Sequence, residues 1–289
     1  MTTTTHIIFK AAIVIIAAAT FTACSSDSPK ASTGTRISSV NEQMGGTSEW
    51  TLTYSADGTL RNVAKAATEG TTSMTETLDS AAIVAEYQST GTAGTAGNAI
   101  YRMTIDSVAG NAITRAHVRV MSRLTGIEIS TIDYRMTYNA ARQLTTLSQT
   151  SHTSGSKADP TTVVTTFHYS SAGRLDSCTS TDHHITLHAS YNPSAYVASG
   201  LAPCLPMRLA LDAHLLGAFY AGRLGQQSTA MPVSLTITSC QGISSPATVE
   251  ITYDLNDDRQ VWREHHNTTR MASGQQVTES TVTTFGYGQ

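Results

Sequence analysis

Apolar and polar residues alternate in short runs along most of the chain, and turn formers break the runs at close intervals. Trp50, Leu52 and Tyr54 alternate with Thr51 and Thr53, the period-two mark of a strand with one buried face. The same reading predicts strands over 36–40, 49–54, 59–64, 72–78, 83–87, 101–106, 113–121, 126–138, 143–153, 162–169, 174–179, 184–190, 231–239, 247–253, 259–269 and 276–287. One phrase returns between them: a tyrosine, a few turn formers, then an apolar residue that restarts a strand. Its copies are Tyr54-Ser-Ala-Asp-Gly-Thr-Leu60, Tyr138-Asn-Ala-Ala-Arg-Gln-Leu144 and Tyr169-Ser-Ser-Ala-Gly-Arg-Leu175, with a looser one from Tyr253 to Val261. Each predicts a hairpin in which a residue such as Gly58 or Gly173 takes the positive φ of a bulged turn. The expected fold is mostly β, an antiparallel meander that forms a curved sheet, a half-barrel or a soluble barrel.

The pattern breaks once. Pro193, Pro203 and Pro206 rule out a central strand over 191–206, because proline lacks the N–H that a ladder needs. A run rich in Ala and Leu follows, with Met207, Leu211, Leu215 and Phe219 at intervals of four. That spacing predicts one short helical insertion near 206–224, with Pro206 at its start and Gly217 and Gly222 weakening its second half. The stripe reads as core cover packed on the sheet, or as a helix plugging a barrel mouth where ligands bind. Residues 88–97 are a Gly/Ala/Thr low-complexity loop.

Composition fits this pattern. Charged residues are 13 % of the 289 residues, about half the share of a typical soluble domain. Thr and Ser supply the missing polarity, and Thr suits exposed strand faces because it is β-branched and still bonds water. The net charge of −3 offers no basic surface for nucleic acid.

Residues 1–23 read as a signal peptide. Lys10 precedes the apolar run Ala11–Ala19, too short to span a bilayer as a helix. Phe21-Thr-Ala-Cys24 resembles the lipobox of bacterial lipoproteins, although Phe21 stands where leucine is usual. The resemblance implies cleavage before Cys24 and acylation of that cysteine, with several acyl chains giving a stable anchor. Residues 24–47 are then the lipidated cysteine and a polar tether, and 48–289 one β domain. Ser25-Ser-Asp-Ser resembles the surface-export signal of Bacteroidetes-type lipoproteins, which favours the cell surface over the periplasmic face of the outer membrane.

The segments Tyr191-Asn-Pro through Leu215-Leu-Gly and Arg223-Leu-Gly-Gln-Gln-Ser-Thr-Ala-Met-Pro232, together with the hairpin phrases, resemble an uncharacterised group of Bacteroidetes-type lipoproteins. The likeness covers roughly Ser48 to the C-terminus. It implies a porin-like antiparallel β architecture and carries no active site.

The chemistry-bearing residues are sparse. Cys178, Cys204 and Cys240 could supply one disulfide outside the cytoplasm, with one thiol left over, or three buried thiols. His184 and His188 on one strand face, with His265 from a neighbour, are candidate metal ligands without a companion carboxylate or cysteine at set spacing. Trp50 and Trp262 are candidate platforms for a sugar, or core residues. Asp79-Ser80-Ala81 and Asp106-Ser107-Val108 resemble a short O-glycosylation sequon, with Ser80 and Ser107 as acceptors. No nucleophile elbow, phosphate loop or dinucleotide fingerprint is present, and no cofactor is called for. The expectation is a non-enzymatic envelope lipoprotein held on the membrane through Cys24, binding a glycan or an envelope protein or serving as structure. A lipid or lipoprotein carrier with a helix-lidded half-barrel is the alternative. A glycan-active enzyme would need paired carboxylates, which the sequence does not single out.

Overall fold

Sixteen strands close into an antiparallel barrel. The computed structural model of the protein describes residues 36–43, 48–66, 72–89, 98–192, 204–228, 230–240 and 246–288, all within the unit Ala31–Gln289. The signal peptide, Cys24, the start of the tether and nearly all of the loop 88–97 lie outside the described residues. The strands are β1 (Arg36–Glu42), β2 (Ser48–Tyr54), β3 (Leu60–Ala66), β4 (Thr72–Leu78), β5 (Ala82–Ser89), β6 (Ala99–Ala109), β7 (Ala112–Ser122) and β8 (Glu128–Tyr138). They continue as β9 (Leu144–Thr153), β10 (Thr161–Tyr169), β11 (Leu175–Ser180), β12 (Thr186–Ser190), β13 (Ser234–Ser239), β14 (Ala247–Leu255), β15 (Val261–Ala272) and β16 (Gln275–Gly288). Each strand pairs with the next in sequence, and β1 pairs with β16 to shut the ring.

The domain therefore begins at Arg36 rather than Ser48, and β1 comes out of the stretch read as tether. The strand read over 36–40 is thus part of the barrel, and its register against β16 slips between Ile37 and Ser39. The two buried residues, Ile37 and Val40, are thus three apart instead of two.

Along β14, Val249, Ile251 and Tyr253 are buried while Thr248, Glu250 and Thr252 are exposed. The same division holds on β2, where Trp50 and Leu52 are buried and Thr51 and Thr53 exposed. The apolar face looks into the barrel and the Thr-rich face outward. A bilayer-spanning barrel has the reverse arrangement, an apolar band outside and a polar lumen.

Sixteen strands enclose more space than their own inward side chains can fill. The chain between β12 and β13 fills it. Helix α1 (Leu205–Ala210) breaks at Leu211, a 3-10 turn covers Ala213–Leu215, and α2 (Leu216–Tyr220) follows. The single helix predicted near 206–224 is thus two short ones, because Leu211 adopts an extended backbone. That break frees Asp212 and His214 to reach the wall. Leu205, Met207, Leu215, Ala218 and Phe219 are all buried, and the polar ties of this segment reach β1, β4, β8 and β15. Elements so far apart around the ring can be touched only from inside, so the segment is a plug in the lumen.

Four hairpins share one turn. Gly58, Arg142, Gly173 and Arg259 all have positive φ. Each N–H donates to the carbonyl three residues back, on Ser55, Asn139, Ser170 and Asn256. The ladder slips beside each turn, as in a type I turn followed by a bulge. In the fourth copy Leu255, not Tyr253, stands at the strand end. Asn139 and Asn256 add a side-chain cap, their Oδ1 accepting the N–H of Gln143 and Gln260.

The tyrosines have a second task at this turn-bearing rim. Tyr54 donates its hydroxyl to the Ile37 carbonyl, Tyr138 to Ile113, Tyr191 to Leu175, Tyr253 to Pro232 and Tyr287 to Val261. Each ties the end of one strand to the start of the strand before it, so the rim is stitched hairpin to hairpin. Tyr169 is the exception, with a buried hydroxyl that has no hydrogen-bond partner among the described residues. Tyr138→Phe is expected to destabilise the barrel by about 1 kcal/mol, the net worth of one such bond. Thermal melts check this, and an unchanged melting temperature would remove the clamp from the account.

Candidate functional site

The plug carries polar groups into a largely apolar interior, where they meet polar partners on the wall. Arg208 of α1 donates from Nη2 to Glu264 Oε2 of β15 at 2.9 Å, and its Nε lies 3.5 Å from Glu42 Oε1 of β1. Its guanidinium also lies over the Phe285 ring. Burial works against the Arg208 charge, but Glu264 and the nearby Tyr220 and Glu42 more than offset it and hold the guanidinium ionised. His266, fully buried, lies 3.2 Å from the same Glu264 oxygen.

A second tie joins the plug to β8. The Tyr134 hydroxyl lies 2.9 Å from His214 Nε2 and donates to Asp212 at 3.2 Å. His214 stacks on Tyr101 with ring centroids 4.7 Å apart. Burial lowers the pKa of His214, so the imidazole is neutral near pH 7. Burial also raises Tyr134 well above its ordinary value, with Asp212 adding to the rise, so the phenol keeps its proton.

The third tie is Glu76 on β4. Its Oε2 accepts the Gly217 N–H at 3.1 Å, while Oε1 is buried with no hydrogen-bond partner among the described residues. Glycine lets the backbone approach so closely that a Cβ at 217 would push the Glu76 carboxyl aside. Burial pushes the Glu76 pKa up to about 8.

The plug divides the lumen. At the turn-bearing rim a cavity of about 670 Å³ lies among Tyr54, Leu60, Leu78, Asn111, Tyr220 and Arg223. There Arg223 donates to the Asp79 and Ser80 carbonyls and pins the end of the plug to the β4–β5 turn. Toward the opposite rim, on the other side of the plug, a cavity of about 560 Å³ is bounded by Lys65, Tyr87, Tyr101, Gln149, Asp212 and His214. Tyr87 and Tyr101 meet edge to face at 5.1 Å.

The residues singled out from sequence fall mostly elsewhere. Trp50 is a buried wall residue, its indole N–H bonded to Glu42 and Lys65 lying 5.2 Å over its ring. It is not an exposed platform, because the alternation of β2 turns it into the lumen. Trp262 is partly buried beneath Arg263, 4.0 Å from its ring. His184, His188 and His265 do not converge. His184 lies in the turn before β12 and His188 on β12, while β13 and β14 separate His188 from His265. His265 pairs instead with Asp254 at 2.9 Å. Among the described residues no three His, Cys, Asp or Glu side chains are grouped to hold a metal. Cys178, Cys204 and Cys240 are buried and form no disulfide with one another. Ser80 is exposed in the β4–β5 turn, and Ser107 on β6 shares a 2.7 Å hydrogen bond with Thr114.

The groups that do converge were not singled out: Glu76, Tyr87, Tyr101, Tyr134, Arg208, Asp212, His214 and Glu264. A signal existed for some of them. Met74, Glu76 and Leu78 share one strand face, so the pattern of β4 itself turns a carboxyl into the core. Arg208, Asp212 and His214 are the only Asp, Glu, Lys, Arg or His residues in the apolar run 205–220.

No family model matches the chain, and no curated protein does. Among solved structures it is similar to a porin-like protein from Bacteroides uniformis, with a TM-score of 0.58 and 15 % identity over 90 % of this chain and 99 % of that one. It is likewise similar to a porin-like protein from Bacteroides vulgatus, with a TM-score of 0.54 and 13 % identity over 88 % of this chain and 99 % of that one. At these identities the likeness is one of fold, a barrel of the porin-like kind.

Proposed function

We propose that the protein is a lipid-anchored lipoprotein of the bacterial outer membrane whose barrel works as a non-enzymatic binding module and not as a pore. The observation that carries this reading is the plug. It is built of buried side chains, tied to the wall through Arg208, His214 and Gly217, and it leaves a lined cavity on either side. The Thr-rich outer face supports a barrel held beside the bilayer rather than in it. The lipobox ending at Cys24 supports the anchor, and the porin-like neighbours support an envelope setting. Cys24 is then the point of attachment, and the cell surface is the favoured face.

Metabolic labelling with radioactive palmitate tests the anchor. Label is expected on the wild type and absent from Cys24→Ala, and equal labelling of the two would reject it. Protease shaving of intact cells then tests the face, with loss of the C-terminal strands expected for a surface protein.

A further inference from the structure

The cavity on the side of the plug away from the tyrosine-stitched rim has a wall whose chemistry narrows its ligand. One part is aromatic, formed by Tyr87 and Tyr101. The other part presents hydrogen-bonding groups of mixed kind: the Lys65 ammonium, the Gln149 amide and the Asp212 carboxylate. Trp50 fixes Lys65 from below and the Tyr134 hydroxyl fixes Asp212, so both are held in place by the wall. The volume of about 560 Å³ lies within the range of small-ligand sites.

Charge removes two classes of ligand. Arg208, which also borders this cavity, is paired with the buried Glu264, and neither Glu264 nor Glu42 is among the residues that line it. Lys65 and Asp212 bring one charge of each sign to the lining, and His214 is neutral. No surplus of either sign remains to hold an anion or a cation. An acyl chain fits no better, because it would strip water from Lys65, Gln149 and Asp212 and return no hydrogen bonds, a costly exchange. What satisfies this wall is a neutral ring that offers hydroxyls to the polar side and C–H faces to the tyrosines.

We propose that this cavity binds a short neutral oligosaccharide, with Asp212, Gln149 and Lys65 bonding its hydroxyls and Tyr87 and Tyr101 packing on its rings. The proposal rests on the binding-module reading and gives that module its ligand class. It is independent of the anchor, so the palmitate experiment and the one below fail separately.

The test is titration calorimetry on the full-length protein in detergent against a panel of neutral mono- to trisaccharides. The panel comprises hexoses, 6-deoxyhexoses and N-acetylhexosamines, with uronic acids and a fatty acid alongside. At least one neutral sugar is expected to bind. Asp212→Asn keeps the acceptor for Tyr134 and is expected to weaken that binding by about tenfold, the loss of one bond to a charged group. Gln149→Leu lies on the wall away from the plug, and is expected to weaken binding without disturbing the plug. Arg119→Ala, exposed on β7 and lining neither cavity, is expected to leave affinity unchanged. Absence of heat with every neutral sugar up to about 10 mM, in the weakest affinity regime, overturns the proposal. So does binding of only the acids, or binding that Asp212→Asn and Gln149→Leu both leave intact.

Discussion

Glu76→Gln is expected to raise the melting temperature by several degrees near pH 9 and to leave it unchanged near pH 4. The cause is a carboxyl that burial holds protonated. In the unfolded chain it loses its proton near its ordinary value of 4.5, and in the barrel only near 8. Between those values the folded state binds more protons, so the stability that this group contributes is complete below pH 4.5 and falls as pH rises to about 8. One pKa unit is worth 1.36 kcal/mol, so the whole loss is on the order of 5 kcal/mol. Glutamine keeps an oxygen for the Gly217 N–H and has no proton to lose, so the slope disappears. At roughly 2 to 4 °C per kcal/mol for a barrel of this size, the difference is within reach of ordinary melts. Parallel pH profiles of variant and wild type would show that Glu76 is solvated after all, and with it the carboxyl end of the plug's contact on β4.

Arg208→Met is expected to have the opposite sign and a similar size. Arg208 and Glu264 are 3 % and 1 % exposed in their side chains, so removing the cation leaves a carboxylate in the core without its counter-charge. Such a loss costs about 3 to 5 kcal/mol, a fall of about 10 °C on the same scale. Adding Glu264→Gln to the variant should recover most of it, because the stranded charge goes with the partner. The coupling between the two sites, read from a double-mutant cycle, separates this from a packing defect. If the double variant is no better than the single, methionine in α1 has disturbed the plug itself and the ion pair is not the cause.

The strands were legible because most of them have one wet face. Thr alternating with apolar residues states the period outright, and all sixteen stretches read as strands are strands. The hairpin phrase also carried its turn, since a positive φ fell on Gly58 and Gly173. At Arg142 and Arg259 the same conformation is imposed on arginine, where no residue type announces it. The side-chain cap of Asn139 and Asn256 shows how the turn is held there. Closure was less legible, because a meander is compatible with an open sheet until one knows that β16 returns to β1.

The site was least legible of all. Its residues come from β3, β5, β6, β8, β9 and the insertion, and no spacing along the chain connects them. The plug also defeats periodicity. A helix on a surface has one apolar stripe, whereas one inside a barrel is buried all round, and the stripe from Met207 to Phe219 is only part of what is covered. The interior acids and the arginine are where the local pattern is broken, and broken patterns are where structure is spent on function.

Pairing between β1 and β16 also sets an order of events during synthesis. The first strand of the barrel is made early and its final neighbour comes last. Until then both it and the newest strand present unsatisfied edges, the arrangement that invites pairing between separate molecules. The long separation makes that closing step the slowest in loop entropy. A chain of this kind is therefore most vulnerable just before its last strand arrives, and its dependence on holding chaperones should concentrate in that interval.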